Sequence, residues 1–144
     1  MLNKKAEQFQ EYLKEKNIEN AFASEEREDE LHTVLFRSQI DVGGNKLPTV
    51  VIFDDSIYGV VRVLVVPKAL TEENELAVMK LANGYNKRYK ALKYYFDDAG
   101  ALLLDVALLS VEGERTGDMV YAMFDVMIRH LNEAYKEIMR SVWA

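Results

Sequence analysis

Between His32 and Val66 the hydrophobic pattern runs at a period of two, and this stretch most narrows what the chain can fold into. Val34, Phe36, Ser38 and Ile40 alternate with Leu35, Arg37, Gln39 and Asp41, as in a strand with one covered face. GGNK at Gly43 to Lys46 supplies residues tolerant of positive φ, and the run LPTVVIF follows at once, with Pro48 near its start. A second turn at Asp54 to Ser56 leads into IYGVVRVLVV, the most β-branched run of the chain. Three strands joined by turns this short predict an antiparallel meander.

Helical periods flank the meander. Asn3 is placed to cap a first helix in which Ala6, Phe9, Tyr12 and Leu13 share a face, with an end expected near Asn17. The following segment, NIENAFASEEREDE, has little periodicity and reads as a solvated acidic connector anchored by Ile18 and Phe22. After Pro67, Thr71 can cap a second helix, with Glu72 and Glu73 at its positive end and an apolar stripe of Leu76, Met79, Ala82 and Tyr85. ALKYYF and ALLLDVALL form a hairpin across DDAG, where Gly100 suits the turn. Past the loop VEGERTG, Asp118 caps a last helix in which Val120, Phe124, Met127, Leu131, Ala134, Ile138 and Val142 recur at four-and-three spacing. The order α-β-β-β-α-β-β-α predicts one α+β domain over residues 1–144, an antiparallel five-stranded sheet with helices mainly on one face.

A chain of 144 residues can hold such a core, since a domain of this size buries roughly 68–70% of the surface its unfolded chain exposes. No cysteine is present, which excludes disulfides, thiolate metal sites and cysteine nucleophiles. Charges interrupt every apolar run short of a signal-peptide or transmembrane length, so the expectation is a cytoplasmic protein with no membrane partner. A formal net charge of -6 argues against general nucleic-acid binding as a whole-surface property. One stretch stands apart: Lys80, Lys87, Arg88, Lys90 and Lys93 are interleaved with Tyr85, Tyr89, Tyr94 and Tyr95, with no acid between Glu75 and Asp97. Single-stranded nucleic acid is the alternative partner that this basic-aromatic stretch invites, with Tyr89 or Tyr95 stacking on bases.

No residue pattern declares a reaction. His32 and His130 belong to no ligand-spaced cluster and read as structural, one at a strand end and one on a helix surface. The pairs Asp54-Asp55 and Asp97-Asp98 could be carboxylate dyads, but both lie where hairpins turn and Asp bonds the backbone just ahead of it. GxSxG, GxxxxGK[ST] and GxGxxG are all missing, and GERTG offers only Arg115, Thr116 and N–H groups that Asp118 would claim first. The acids from Glu25 to Glu30 lack the spacing and glycine bend of a calcium loop. No catalytic residue, cofactor or metal ligand is therefore expected.

Two words of the second half carry a resemblance. LANGYNKRY, through Leu81, Asn83, Asn86, Lys87 and Arg88, is similar to a Leu-Asn-x-x-Asn-(Lys/Arg) pattern, and YYFDDAGALLLDVALL is similar to an aromatic strand, Asp-Asp-x-Gly turn and apolar strand. Together with the element order, they make the chain resemble the YbjN-like family of bacterial sensory transduction regulators, whose fold looks like that of type III secretion chaperones. That resemblance implies a fold and a regulatory or chaperone-like role, and it supplies no catalytic residue.

The sheet faces carry the functional expectation. In the last two strands Leu92, Tyr94 and Phe96 with Leu102, Leu104, Val106 and Leu108 should lie under the helices. The opposite positions, Ala91, Lys93 and Tyr95 with Leu103, Asp105, Ala107 and Leu109, should form an open face that is unusually apolar. Either the chain's own helices or connector cover that face, or a protein docks there, another copy of the chain or a client segment, with Arg62, Lys93 and Asp105 setting register. The preferred expectation is a non-enzymatic interaction module that binds protein through its sheet and can form a homodimer.

Overall fold

A computed structural model describes residues 2–109 and 115–144. Its elements are α1 (Lys4–Glu15), β1 (Ala23–Glu26), β2 (Val34–Val42), β3 (Asn45–Phe53), β4 (Tyr58–Val66), α2 (Glu75–Arg88), β5 (Lys93–Phe96), β6 (Leu102–Leu109) and α3 (Thr116–Trp143). All strand pairs are antiparallel, in the order β1-β2-β3-β4-β6-β5. The predicted meander is β2 to β4, and the predicted hairpin is β5 and β6, which joins the sheet through β6 against β4.

The sheet has six strands where five were expected. The extra one, β1, comes from the acidic connector and lies against β2, with Ala23 opposite Arg37 and Glu26 opposite Val34. All four of its side chains are exposed. Pairing with an otherwise unpaired edge is a backbone interaction that needs no hydrophobic alternation, so the sequence pattern carried no trace of it.

Burial alternates as the period of two requires. Val34, Phe36, Ile40 and Val42 of β2, Val51 and Phe53 of β3, and Val61 and Val63 of β4 join Tyr94, Leu102, Leu104, Val106 and Leu108 in one core. α1 adds Ala6, Phe9 and Leu13, and α3 adds the whole predicted series from Val120 to Val142. Phe9 sits at the centre, edge-on to Phe36 at 4.9 Å and to Phe53 at 5.7 Å between centroids. Burying an aromatic or aliphatic side chain contributes about 1.5–3 kcal/mol, so this layer of helices on sheet is the main source of stability.

The predicted turn chemistry holds. Gly43, Gly44 and Gly100 have positive φ, the Asp97 carboxylate accepts from the N–H groups of Ala99 and Ala101, and that of Asp54 accepts from Ser56. Asn3 caps α1, its Oδ1 accepting from the Ala6 N–H at 2.8 Å, while its Nδ2 donates to the carbonyls of His32 and Phe53. Beside it, the buried Lys5 ammonium donates to the Ser56 and Tyr58 carbonyls, with Asp54 at 3.9 Å. Burial lowers the pKa of Lys5, while Asp54 and Asp55 oppose that shift.

Three local expectations are corrected. The buried stripe of α2 is Val78, Ala82 and Tyr85, and Leu76 and Met79 are exposed, because α2 meets α3 and β5 along the i, i+4, i+7 row that starts at Val78. The helix begins at Glu75, and Thr71 and Asn74 exchange hydrogen bonds just ahead of it. Asp118 does not cap α3, which starts at Thr116 with Arg115 in the cap position; it lies 3.5 Å from the Arg115 guanidinium instead. Of the loop VEGERTG, residues 111–114 lie outside the described residues. Among the described residues no helix is long and apolar enough to cross a membrane.

Candidate functional site

The helices occupy one side of the sheet. α3 and α1 contribute to the core named above, and α2 joins the same side because its Tyr85 ring stands 5.3 Å from Tyr94. The predicted open-face positions of β5 and β6 are thus on the side that no helix among the described residues covers. Lys93 is exposed, Tyr95 and Leu103 are half-buried, and Leu109 is 56% exposed.

Register assembles these residues with others the sequence did not single out. The row Arg37, Val50, Arg62, Asp105 and Lys93 crosses five strands, since each is the cross-strand partner of the next. Leu35, Ile52, Val60 and Ala107 form the adjacent row by the same rule. On the other side Leu64 and Tyr95 both face Leu103. At the end of the sheet Tyr58 pairs with Leu109 and is 53% exposed. Most of the side chains on this uncovered face are therefore apolar, where an antiparallel sheet with one wet face normally presents polar ones.

In the structure Gly59, Val61 and Val63 point to the core and Val60, Arg62 and Leu64 point outward. The register then shifts between Leu64 and Val66, and Val65 and Val66 are both buried. A bulge there turns the end of the strand and ends the outward row.

Arg62 and Asp105 form the polar centre of the face. Arg62 Nε and one terminal nitrogen donate to the two carboxylate oxygens of Asp105, each at 2.9 Å. The Asp105 side chain is only 8% exposed and that of Arg62 36%. Such a fork-to-fork pair holds both groups in one geometry, and its hydrogen bonds raise the Arg62 pKa although burial acts against them. Tyr95 lies beside the pair, with the Arg62 guanidinium 5.8 Å and the Lys93 ammonium 5.1 Å from its ring centre. Burial is the main cause of the raised pKa of its hydroxyl. Asp105 is thus satisfied within the chain; Lys93 is exposed at one end of the row, and at the other Arg37 is exposed with the Glu25 carboxylate of β1 at 3.9 Å.

The basic-aromatic stretch folds into a different place. Tyr85 and Tyr94 are buried, Tyr85 donates to the Glu137 carboxylate, and the Tyr94 hydroxyl lies 2.7 Å from His130 Nε2. Burial raises the pKa of both hydroxyls. Tyr89 is half-buried, with the Arg88 guanidinium 5.2 Å from its ring centre. Lys80, Lys87, Arg88 and Lys90 are exposed. Asn86 has a role that the spacing alone did not show: its Oδ1 accepts from the Tyr94 N–H at 2.7 Å and its Nδ2 donates to the Tyr94 carbonyl at 3.0 Å. It thereby closes the free edge of β5 at that residue.

The two histidines part company. His32 is exposed and lies 2.6 Å from Asp55, whereas His130, expected on a helix surface, is 5% exposed and packed among Tyr85, Tyr89 and Tyr94. It lies three residues after Met127 and four before Ala134, and so shares the buried face of α3. Among the described residues no three His, Asp or Glu side chains are grouped so as to hold a metal ion. In comparison with known proteins, no family model matches the chain, and no curated protein matches it.

Proposed function

We propose that this chain is a non-enzymatic protein-interaction module, YbjN-like and built on a secretion-chaperone-like plan, that acts as a chaperone or regulator by binding a protein partner through the open face of its sheet. The observation that carries this reading is the pair of apolar rows on the helix-free side of the described sheet, one on each flank of the row that ends in Arg37 and Lys93. The partner is a segment that sets apolar side chains over Val50, Val60 and Leu103 and places acids against the two cations. The recurrence of α-β-β-β-α-β-β-α, with one strand added, supports the chaperone-like plan.

The absence of native cysteine permits a direct test. Single cysteines placed at Ile52 or Leu103 should be protected from alkylation when a captured partner is bound, and one at Lys136 on α3 should not be. Capture should fall at least tenfold when Tyr95, Leu103 and Leu109 are all replaced by alanine. A second copy as occupant would show as a dimer in light scattering that the triple variant loses. Capture and mass unaffected by the triple variant would refute the reading. Oligonucleotide binding that weakens steeply with salt and is lost on replacing Lys80, Lys87, Arg88 and Lys90 would transfer the function to the basic stretch.

A further inference from the structure

Behind the end of α2, away from the open face, the chain from Arg88 to Leu92 and the middle of α3 enclose a depression of about 490 Å³. That is within the size range of small-molecule sites. Its walls are Tyr89, Leu92 and Val126, and Arg88, Lys90 and Arg129 stand around it against the single acid Glu133. Arg129 is partly engaged by Asp125 at 3.1 Å, whereas Arg88 lies over the Tyr89 ring. A guanidinium stacked on a ring keeps its N–H edge free to grip an oxyanion.

His130 contributes to the lining and holds the second observation. Its Nδ1 is buried without a hydrogen-bond partner, the single side-chain atom of that kind among the described residues. The Tyr94 hydroxyl has Nε2 as its partner. If Nε2 accepts from that hydroxyl, the ring proton is on Nδ1, which becomes a donor without an acceptor. The other tautomer would strand the tyrosine hydrogen as well as Nδ1. That N–H is buried and unpaired in a ring that helps to line the depression.

The geometry points to this depression as a binding site for a small amphiphile with one oxyanion head, a carboxylate or a phosphate, on a short apolar body. Arg88 and Lys90 take the head, the Tyr89, Leu92 and Val126 walls take the body, and the Nδ1 proton of His130 is directed by Tyr94. The site is separate from the open sheet face, so either assignment can fail without the other.

Titration calorimetry with octanoate, octyl phosphate and octan-1-ol, together with nitrogen-detected NMR of the imidazole, tests it on the full chain. At least one of the two anions should bind tenfold or more tightly than the alcohol and should shift the His130 Nδ1 resonance. Arg88→Gln combined with Lys90→Gln should weaken the anions tenfold and leave the alcohol unchanged, while Arg37→Gln on the open face changes nothing. The ratio of octanoate to octyl phosphate affinity distinguishes the two heads. Equal binding of alcohol and anions, no binding of any probe, an unmoved Nδ1 resonance, or indifference to the double substitution would each overturn the assignment.

Discussion

Gly117 shows how one residue sets the distance between two helices. A Cβ built there would lie 2.1 Å from the Tyr12 ring, so α3 approaches α1 only because the side chain is missing. Gly117→Ala should destabilise the fold by about 1–3 kcal/mol in urea unfolding, since overpacking outweighs the better helix propensity of alanine. In a Tyr12→Ala background the same change should be neutral or stabilising, and an unchanged penalty there would show that the contact is not the cause. Neither residue announces this in the sequence, where Gly117 reads as the end of a loop and Tyr12 as one more apolar position. Asn3 is the opposite case. Its cap was legible from its place before a periodic run, but its two bonds to the carbonyls of His32 and Phe53 depend on chain brought from 29 and 50 residues away.

Among the elements, the long α3 and the β2 to β4 meander were legible because strong periodicity reports burial directly. The stripe of α2 was not, since its apolar residues surround much of the helix and tertiary contact chose the Val78, Ala82 and Tyr85 side. Gly84 lies in this helix with no atom within 4 Å of a Cβ placed on it, and it does not have positive φ. Gly84→Ala should therefore raise stability by about 0.8–1.0 kcal/mol, read as a higher urea midpoint at unchanged slope. A loss of stability would mean that this side of α2 is packed against something. Asn86, two residues on, was conspicuous as a motif residue, yet its work is to bond the exposed backbone of β5 at Tyr94.

At the scale of the whole molecule, one buried imidazole should make stability depend on pH. His130 is packed among Tyr85, Tyr89 and Tyr94, and burial lowers its pKa from the ordinary 6.5, with Glu133 of its own helix opposing and Arg88 of α2 reinforcing the shift. The unfolded chain takes up this proton near pH 6.5 while the folded ring stays neutral, so the stability is complete above that value and is lost as pH falls toward the folded pKa. Urea unfolding between pH 7.5 and 5 should show the decline, and His130→Gln should flatten it. A slope that survived in His130→Gln would assign the linkage elsewhere. Sequence by itself determined the α+β class, the antiparallel meander and hairpin, the turns at Gly43-Gly44 and Gly100, and the inward and outward sides of β5 and β6, because each follows from local period or local backbone conformation. Tertiary structure alone decided the sixth strand, the Arg62–Asp105 pair and the burial of His130. Those depend on which distant segments share an edge, a face or a core, and no period within a single segment records its neighbours.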